Sequence, residues 1–213
     1  MKHTSLQIIR DEHASLAAML QSMRMMVERG PADNPENFFD VMRAMLFYID
    51  EFPERLHHPK ESNLLFPRVA KAVPQVMGTV DRLERDHMHS ERSVRDVQHL
   101  LLSWELLGES RHQAFTDAFK QYVDAYLEHM RLEEEVILPE AEKVLTEDDW
   151  KELDAAFETN CDPLTGKYPP DPAYDRLFTR IVMKAPAPIG DNSHFLQAKG
   201  WPNPPSARSR GAP

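Results

Sequence analysis

The chain has one cysteine, Cys161, so it forms no internal disulfide and no thiolate metal cluster. Glycine is scarce, with seven in 213 residues; beside abundant Leu, Met, Ala and Glu this leans the class toward all-α. No run of eighteen apolar residues exists, which excludes a membrane span. The start, Met1 to Leu6, lacks the apolar run of a signal peptide. A cytoplasmic protein with no membrane partner is expected. Basic side chains are few: the net charge is −10, which argues against nucleic acid, because phosphate binding needs clustered Lys and Arg. The acidic excess is uneven. Residues 1–157 carry 18 basic and 30 acidic side chains, and residues 158–213 carry seven and five. No nucleophilic triad, phosphate loop or nucleotide fingerprint is visible, so any chemistry must reside in another kind of site.

A hydrophobic fraction of 41% and three tryptophans give the chain enough apolar material for one well-cored domain plus an extension. Helical spacing recurs four times. The first segment, about 5–28, carries Leu6, Ile9, His13, Leu16, Leu20 and Met23, and Gly30-Pro31 stops it. The second carries Phe38, Met42, Met45, Ile49 and Phe52, with a kink or break expected at Pro53 and Pro59. The third, about 75–107, turns Val76, Val80, Leu83, His87, Val94 and Leu101 inward. The fourth, about 110–144, has the cleanest stripe: Phe115, Phe119, Tyr122, Tyr126, His129, Glu133 and Ile137. Thr146 to Asp149 reads as a helix cap leading into Trp150–Phe157. Ten of the seventeen prolines follow Thr146. We therefore expect a domain over 1–157 and a Pro-rich extension over 158–213, with one or two short helices. One of these starts at Asp171-Pro172 and packs Leu177, Phe178 and Ile181; the end from Asn203 to Pro213 is expected to be mobile.

Polar residues intrude on every stripe. His57 is followed four residues on by Glu61, His129 by Glu133, and His87 by Glu91, while His13 stands on the first segment. A spacing of four puts both side chains on one helix face, about one turn apart. A buried imidazole or carboxylate without a partner costs several kcal/mol, and one such histidine is ordinarily hydrogen-bonded to its neighbours. The same intrusion on four helices points instead to a two-metal centre built inside a bundle. At about 1.5 Å per residue, His87 and His129 lie roughly 30 and 27 Å from the turn joining their helices, and so face each other at one level if the helices are antiparallel. Imidazole and carboxylate without sulfur suit Fe, Mn or Zn.

The set Asp11-Glu12-His13, Tyr48 through Phe52 into His57-His58-Pro59-Lys60-Glu61, Leu65-Phe66-Pro67, Asp86-His87 and His129-x-x-x-Glu133-Glu134 resembles the hemerythrin family, specifically the bacterial hemerythrin-like HHE cation-binding domains, over about residues 5–145. The resemblance implies an up-down-up-down four-helix bundle around a non-haem di-iron centre with carboxylate and oxo- or hydroxo-type bridges; Mn or Zn is the lesser expectation. By position, His13, His57, His87 and His129 would be nitrogen ligands, Glu61 a bridging carboxylate, and Glu133 or Glu134 the second bridge. His58 is the alternative to His57 if the proline break rotates the chain. Oxygen-carrying members place a second histidine one turn after His87, where this chain has Glu91. An anionic oxygen there would stabilise Fe(III) and lower the potential.

The functions implied are binding, sensing or storage of iron, O2 or NO, with a small ligand at the metals. Enzymatic turnover of peroxide or Fe(II), and a structural metal bundle, are the alternatives. Tyr122 and Tyr126 share the inward face of the fourth helix, as core packing or as donors to the site. His89 and also His3, His99, His112 and His194 read as surface residues. Met19, Met23, Met25 and Met26 read as core filling, or else as the surface of a homodimer.

Overall fold

The computed structural model describes residues 3–31, 34–165 and 174–191. Among them there are helices and turns and no strand. The first helix, α1 (Thr4–Arg29), ends at Gly30, whose φ of +67° is open to glycine and whose N–H returns to the Met26 carbonyl at 2.9 Å. Asn34 then caps α2 (Pro35–Glu51), accepting from the Asn37 N–H at 3.1 Å, with Pro35 at the first helical position.

The prolines after α2 do not break the helix but widen it. A π turn over Pro53–His57 passes into one short turn, α3 (His58–Lys60); a second π turn follows over Glu61–Leu65, then α4 (Phe66–Ala72). After α5 (Met77–Leu107) and α6 (His112–Leu132) the same device recurs, a π turn over Glu133–Ile137 leading into α7 (Leu138–Val144). Each π turn is followed by one residue and then a proline: His58-Pro59, Phe66-Pro67 and Leu138-Pro139. Proline has no N–H to give and its ring crowds the carbonyl four residues back. One extra residue in the preceding turn relieves that clash, and π turns of this kind gather at functional sites.

The helices close a ring: α1 packs on α2 and α6, α2 on α5, and α5 on α6. Two apolar clusters fill it. One holds Leu16, Met19, Met23, Phe38, Met42, Met45, Leu101, Trp104, Phe115 and Tyr126 among others; the second holds Leu6, Ile9, Phe66, Val69, Leu83, Ile137, Trp150 and Phe157. Full burial of one such side chain is worth roughly 1.5–3 kcal/mol. Met19, Met23 and Met26 lie buried in the first cluster and fill the core, while Met25 is half-buried outside it. On α1, Ile9 belongs to one cluster and Leu16 to the other. His13 lies between them in sequence, and the polar site occupies that layer.

The chain beyond Val144 continues on the same cores. Thr146 and Asp149 form a reciprocal capping box at the start of α8 (Glu147–Phe157), which packs on α1. There Asp154 accepts from the Ser5 N–H at 2.7 Å, one of the amides the start of α1 leaves without an intrahelical partner. Past position 157, Leu164, Phe178, Ile181, Val182 and Ile189 all belong to the first cluster. The first cluster thus takes in residues from beyond Phe157, and α9 (Asp175–Lys184) packs on α2. The Asp171-Pro172 helix start, His194 and the 203–213 end lie outside the described residues.

Candidate metal centre

Five imidazoles and two carboxylates converge between the clusters. α1 supplies His13; the widened second helix supplies His57, His58 and Glu61; α5 supplies His87; the fourth helix supplies His129 and Glu133. Glu61 is 0% and Glu133 1% exposed. Donor atoms form two groups, each within 4.8 Å: His58, Glu61, His87 and His129 in one, and His13, His57 and Glu61 in the other. Glu61 belongs to both.

The orientation of the rings follows one rule. His13 holds Glu134 through Nδ1 at 3.0 Å, His57 holds Glu12 at 2.6 Å, His58 holds Glu54 at 3.1 Å and His87 meets the Ser62 hydroxyl at 2.9 Å. The His129 Nδ1 faces Asp86 at 3.6 Å. Outer partners on Nδ1 fix the tautomer and leave Nε2 facing inward, as ligating histidines require. Inside, the His57 Nε2 lies 3.0 Å from Glu61, the His129 Nε2 3.0 Å from Glu133, the His13 Nε2 3.3 Å from Glu133 and the His87 Nε2 3.6 Å from Glu61. The His58 Nε2 is 2.9 Å from the Tyr126 hydroxyl. Although nitrogens are this close, both oxygens of Glu61 and both of Glu133 lack an aligned hydrogen bond. Buried carboxylates left so are costly. Lone pairs from different helices that approach but do not pair on each other's axes fit cations placed between them.

Without a cation, the site must supply its own positive charge. Burial pulls the His129 imidazole down, but Glu133 and Asp86 outweigh it and hold it at about 10. Burial likewise opposes the charge on His57 and His13, yet Glu61 and Glu12 hold the first well above its ordinary value, and Glu133 and Glu134 raise the second. His87 is pushed to about 2 by burial and by His58 and His129, and His58 falls for the same kind of reason. Burial and the adjacent Glu133 push Glu61 up; Glu133, buried too, is held well down by His129 and His13. The buried carboxylates thus favour positive charge on His13, His57 and His129, as they would favour the charge of a metal.

Of the residues singled out from the sequence, His13, His57, Glu61, His87, His129 and Glu133 come together. Glu134 does not meet the interior: its side chain is 45% exposed and serves His13 from outside. Glu91 requires a correction in placement. Its side chain is 56% exposed and pairs with Arg95 at 2.7 Å. Four residues turn a helix by 400°, so Glu91 lies some 40° round from His87, and on α5 that rotation passes from interior to solvent. Exposed there, Glu91 lies outside both donor groups and offers them no anionic oxygen. His57 and His58 are both brought inward: the π turn that ends at His57 has more residues per turn than an α-helix, so neighbours along it are rotated by less and lie nearer one face. Of the two tyrosines, Tyr126 reaches a candidate ligand.

Glu12, Glu54, Asn160 and Asp162 were not read from the sequence as part of the site. Glu12 stands within the motif Asp11-Glu12-His13, and the step of four from Glu54 to His58 was a readable signal. Asn160 and Asp162 come from distant sequence and had none.

Among the described residues, a tight opening and a wider cleft reach this layer. The tight one, beside Tyr48, Phe52, His57, His58, Asn160 and Asp162, holds about 20 Å³ of free space, room for about one water-sized molecule. The wider cleft, of about 380 Å³, runs between α5 and α6 past Ser90, Ser93 and Tyr122 to His87 and His129.

Comparison with known proteins agrees with this geometry. A family model described as the hemerythrin HHE cation binding domain matches residues 4–141. An uncharacterized protein of Haemophilus influenzae is 31% identical over 97 residues, 45% of this chain and 53% of that one. An iron-sulfur cluster repair protein YtfE of Salmonella paratyphi B is 26% identical over 136 residues, 62% of this chain and 60% of that one; one of Salmonella newport matches to the same extent. The chain thus spans between half and three-fifths of the length of these relatives. With the family model covering most of the described bundle and the inward His and Glu residues falling inside the match, the chain belongs to the hemerythrin HHE cation-binding domain family.

Proposed function

We propose that the chain binds two iron ions, one in each donor group, with Glu61 shared between them, and that the pair takes up O2, NO or iron for sensing, storage or carriage. The observation that carries this reading is the Glu61 carboxylate: fully buried, common to both donor groups, and without an aligned hydrogen bond on either oxygen. His13, His57, His58, His87 and His129 would be the nitrogen donors and Glu133 the second carboxylate. Mixed nitrogen and oxygen donors without sulfur suit iron, with Mn or Zn behind it. Bound there, iron would supply Lewis-acid and redox chemistry toward small molecules.

The chain's own residues set the terms of that chemistry. Carboxylates on Nδ1, and for His87 the Ser62 hydroxyl, hold the rings in place, the apolar clusters pack on either side of the site, and the Tyr126 hydroxyl stands ready to donate to a group beside His58. The narrow opening admits a ligand of a few atoms, while the wider cleft leads to His87 and His129. The reading includes an up-down-up-down order of the four bundle helices, supported by the meeting of His87 and His129 across α5 and α6. It includes a cytoplasmic location, consistent with no helix among the described residues being long and apolar enough to cross a membrane. Its partners are the small ligand and at most a second copy of the chain, with neither nucleic acid nor membrane.

A second reading is enzymatic: the same centre would turn over peroxide or oxidise Fe(II). The relatives named for iron-sulfur cluster repair favour an iron transaction, and repair of such clusters is the form it would take here. The deciding experiment is elemental analysis of protein purified from iron-supplied cells. About two irons per chain supports the proposal; no iron, or a single zinc, overturns it. Stopped-flow mixing of the reduced protein with O2 or peroxide then separates binding from turnover.

A further inference from the structure

We propose that Asn160, beyond the reach of the family match, is a positioning residue for the His57 ligand; this rests on the metal reading above. The turn that follows α8 folds back beneath the site. Cys161 takes a φ of +48°, unusual for a side chain other than Gly, Asn or Asp, and the corner places Asn160 and Asp162 in the interior, each 4% exposed. The Asn160 Nδ2 donates to the Glu12 Oε2 at 2.9 Å, and the His57 Nδ1 meets that same oxygen at 2.6 Å. One carboxylate oxygen therefore serves the amide and the imidazole together.

The orientation of the amide is determined by a third residue. Lys60, three positions after His57, reaches both the Thr159 hydroxyl at 2.8 Å and the Asn160 Oδ1. An ammonium only donates, so the amide oxygen must face Lys60 and the N–H must face Glu12. Next to it Asp162 accepts from the Tyr48 hydroxyl and, at 2.9 Å, from the Leu164 N–H, which ties the turn to α2. The tail is thus pinned to the helix turn bearing His57 on one side and to the carboxylate orienting His57 on the other. Fixing Glu12 fixes the tautomer and direction of His57. Loss of such an outer hydrogen bond typically weakens metal binding 10- to 100-fold.

The test uses the full chain and cobalt(II) as the probe metal. Apo wild type, Asn160→Ala, Asn160→Gln, Glu12→Gln and the Asn160→Ala/Glu12→Gln double variant are titrated against a competing chelator, and the exchangeable imidazole N–H resonances of the cobalt-loaded proteins are recorded. The expected result is binding about 10-fold weaker in Asn160→Ala, part of it regained in Asn160→Gln. One N–H resonance should move in Asn160→Ala and in Glu12→Gln alike. The double variant should be no worse than Glu12→Gln alone, since both changes act through one carboxylate. Unchanged affinity and resonances in Asn160→Ala, or losses that simply add, overturn the proposal. If Asn160→Ala does not fold, Asn160→Gln and Glu12→Gln carry the same comparison. Wild type that takes up no cobalt removes the metal reading itself and this inference with it, an outcome distinct from a metal-loaded protein indifferent to Asn160.

Discussion

The Nε2 atoms of His87 and His129 face each other at 3.0 Å across α5 and α6. Two imidazole nitrogens that close need something positive between them. In the metal-free chain it is one proton, carried by His129, which Glu133 and Asp86 hold at about 10 against the pull of burial, while burial and its histidine neighbours keep His87 neutral at about 2. With metal bound, both lone pairs are taken up by the cation. Replacing either histidine with alanine should lower metal from about two per chain to about one or less, measured by elemental analysis. The exposed His89, two residues on, is the control: His89→Ala should retain full metal.

Metal must displace protons from this cluster. The raised value of His129 stabilises the metal-free fold most fully below the ordinary histidine range near 6.5, and that contribution fades as pH rises through about 10. At pH 7 the imidazolium is present, so metal uptake should release protons and affinity should fall as pH drops. Calorimetric titration at pH 7 in buffers of different ionisation enthalpy reads the proton count. A heat independent of buffer would show that the site loads without deprotonation.

Glu61 and Glu91 separate a shared interior carboxylate from a solvent ion pair. Glu61→Gln should abolish or strongly reduce uptake of both metals, because both donor groups use it. Glu91→Ala should leave metal content unchanged and move stability by no more than about 0.5 kcal/mol, as surface substitutions do. Loss of metal in Glu91→Ala would mean that α5 turns differently in the loaded protein.

Phe178 tests how far the tail belongs to the bundle. It is fully buried against Tyr48 and Phe52, with ring centres 6.0 and 5.5 Å apart. Phe178→Ala should cost about 3–5 kcal/mol in denaturant unfolding. A cost below 1 kcal/mol would show that the helix detaches without disturbing the core.

Asp162 gives the metal-free fold a second pH dependence. Burial and the neighbouring Glu12 raise it to about 7, so the folded chain holds a proton there that the unfolded chain gives up near 4. Stability should therefore fall as pH rises from about 4 to 7, by up to a few kcal/mol. Glu54, raised to about 7 chiefly by burial, acts in the same direction. Urea unfolding of chelator-treated protein at pH 5 and 7 should show the drop in wild type and a smaller one in Asp162→Asn. Equal slopes would contradict the assignment.

By itself the sequence determined the helical class, the inward stripes and six residues that the fold brings together. A polar side chain inside an apolar stripe of known period is legible without a partner in view, which is why His13, His57, Glu61, His87, His129 and Glu133 could be named. Periodicity measures rotation along one ideal helix, however. It does not say where that helix turns from its neighbours to solvent, and so it mistook Glu91 for an interior residue. Nor does it register the extra residue of a π turn, which is what brings His58 in beside His57. Only the tertiary structure decided the partners that come from far along the chain: Tyr126 on His58, and Asn160 on the carboxylate that holds His57. Those contacts depend on how one surface meets another, and no local spacing encodes that.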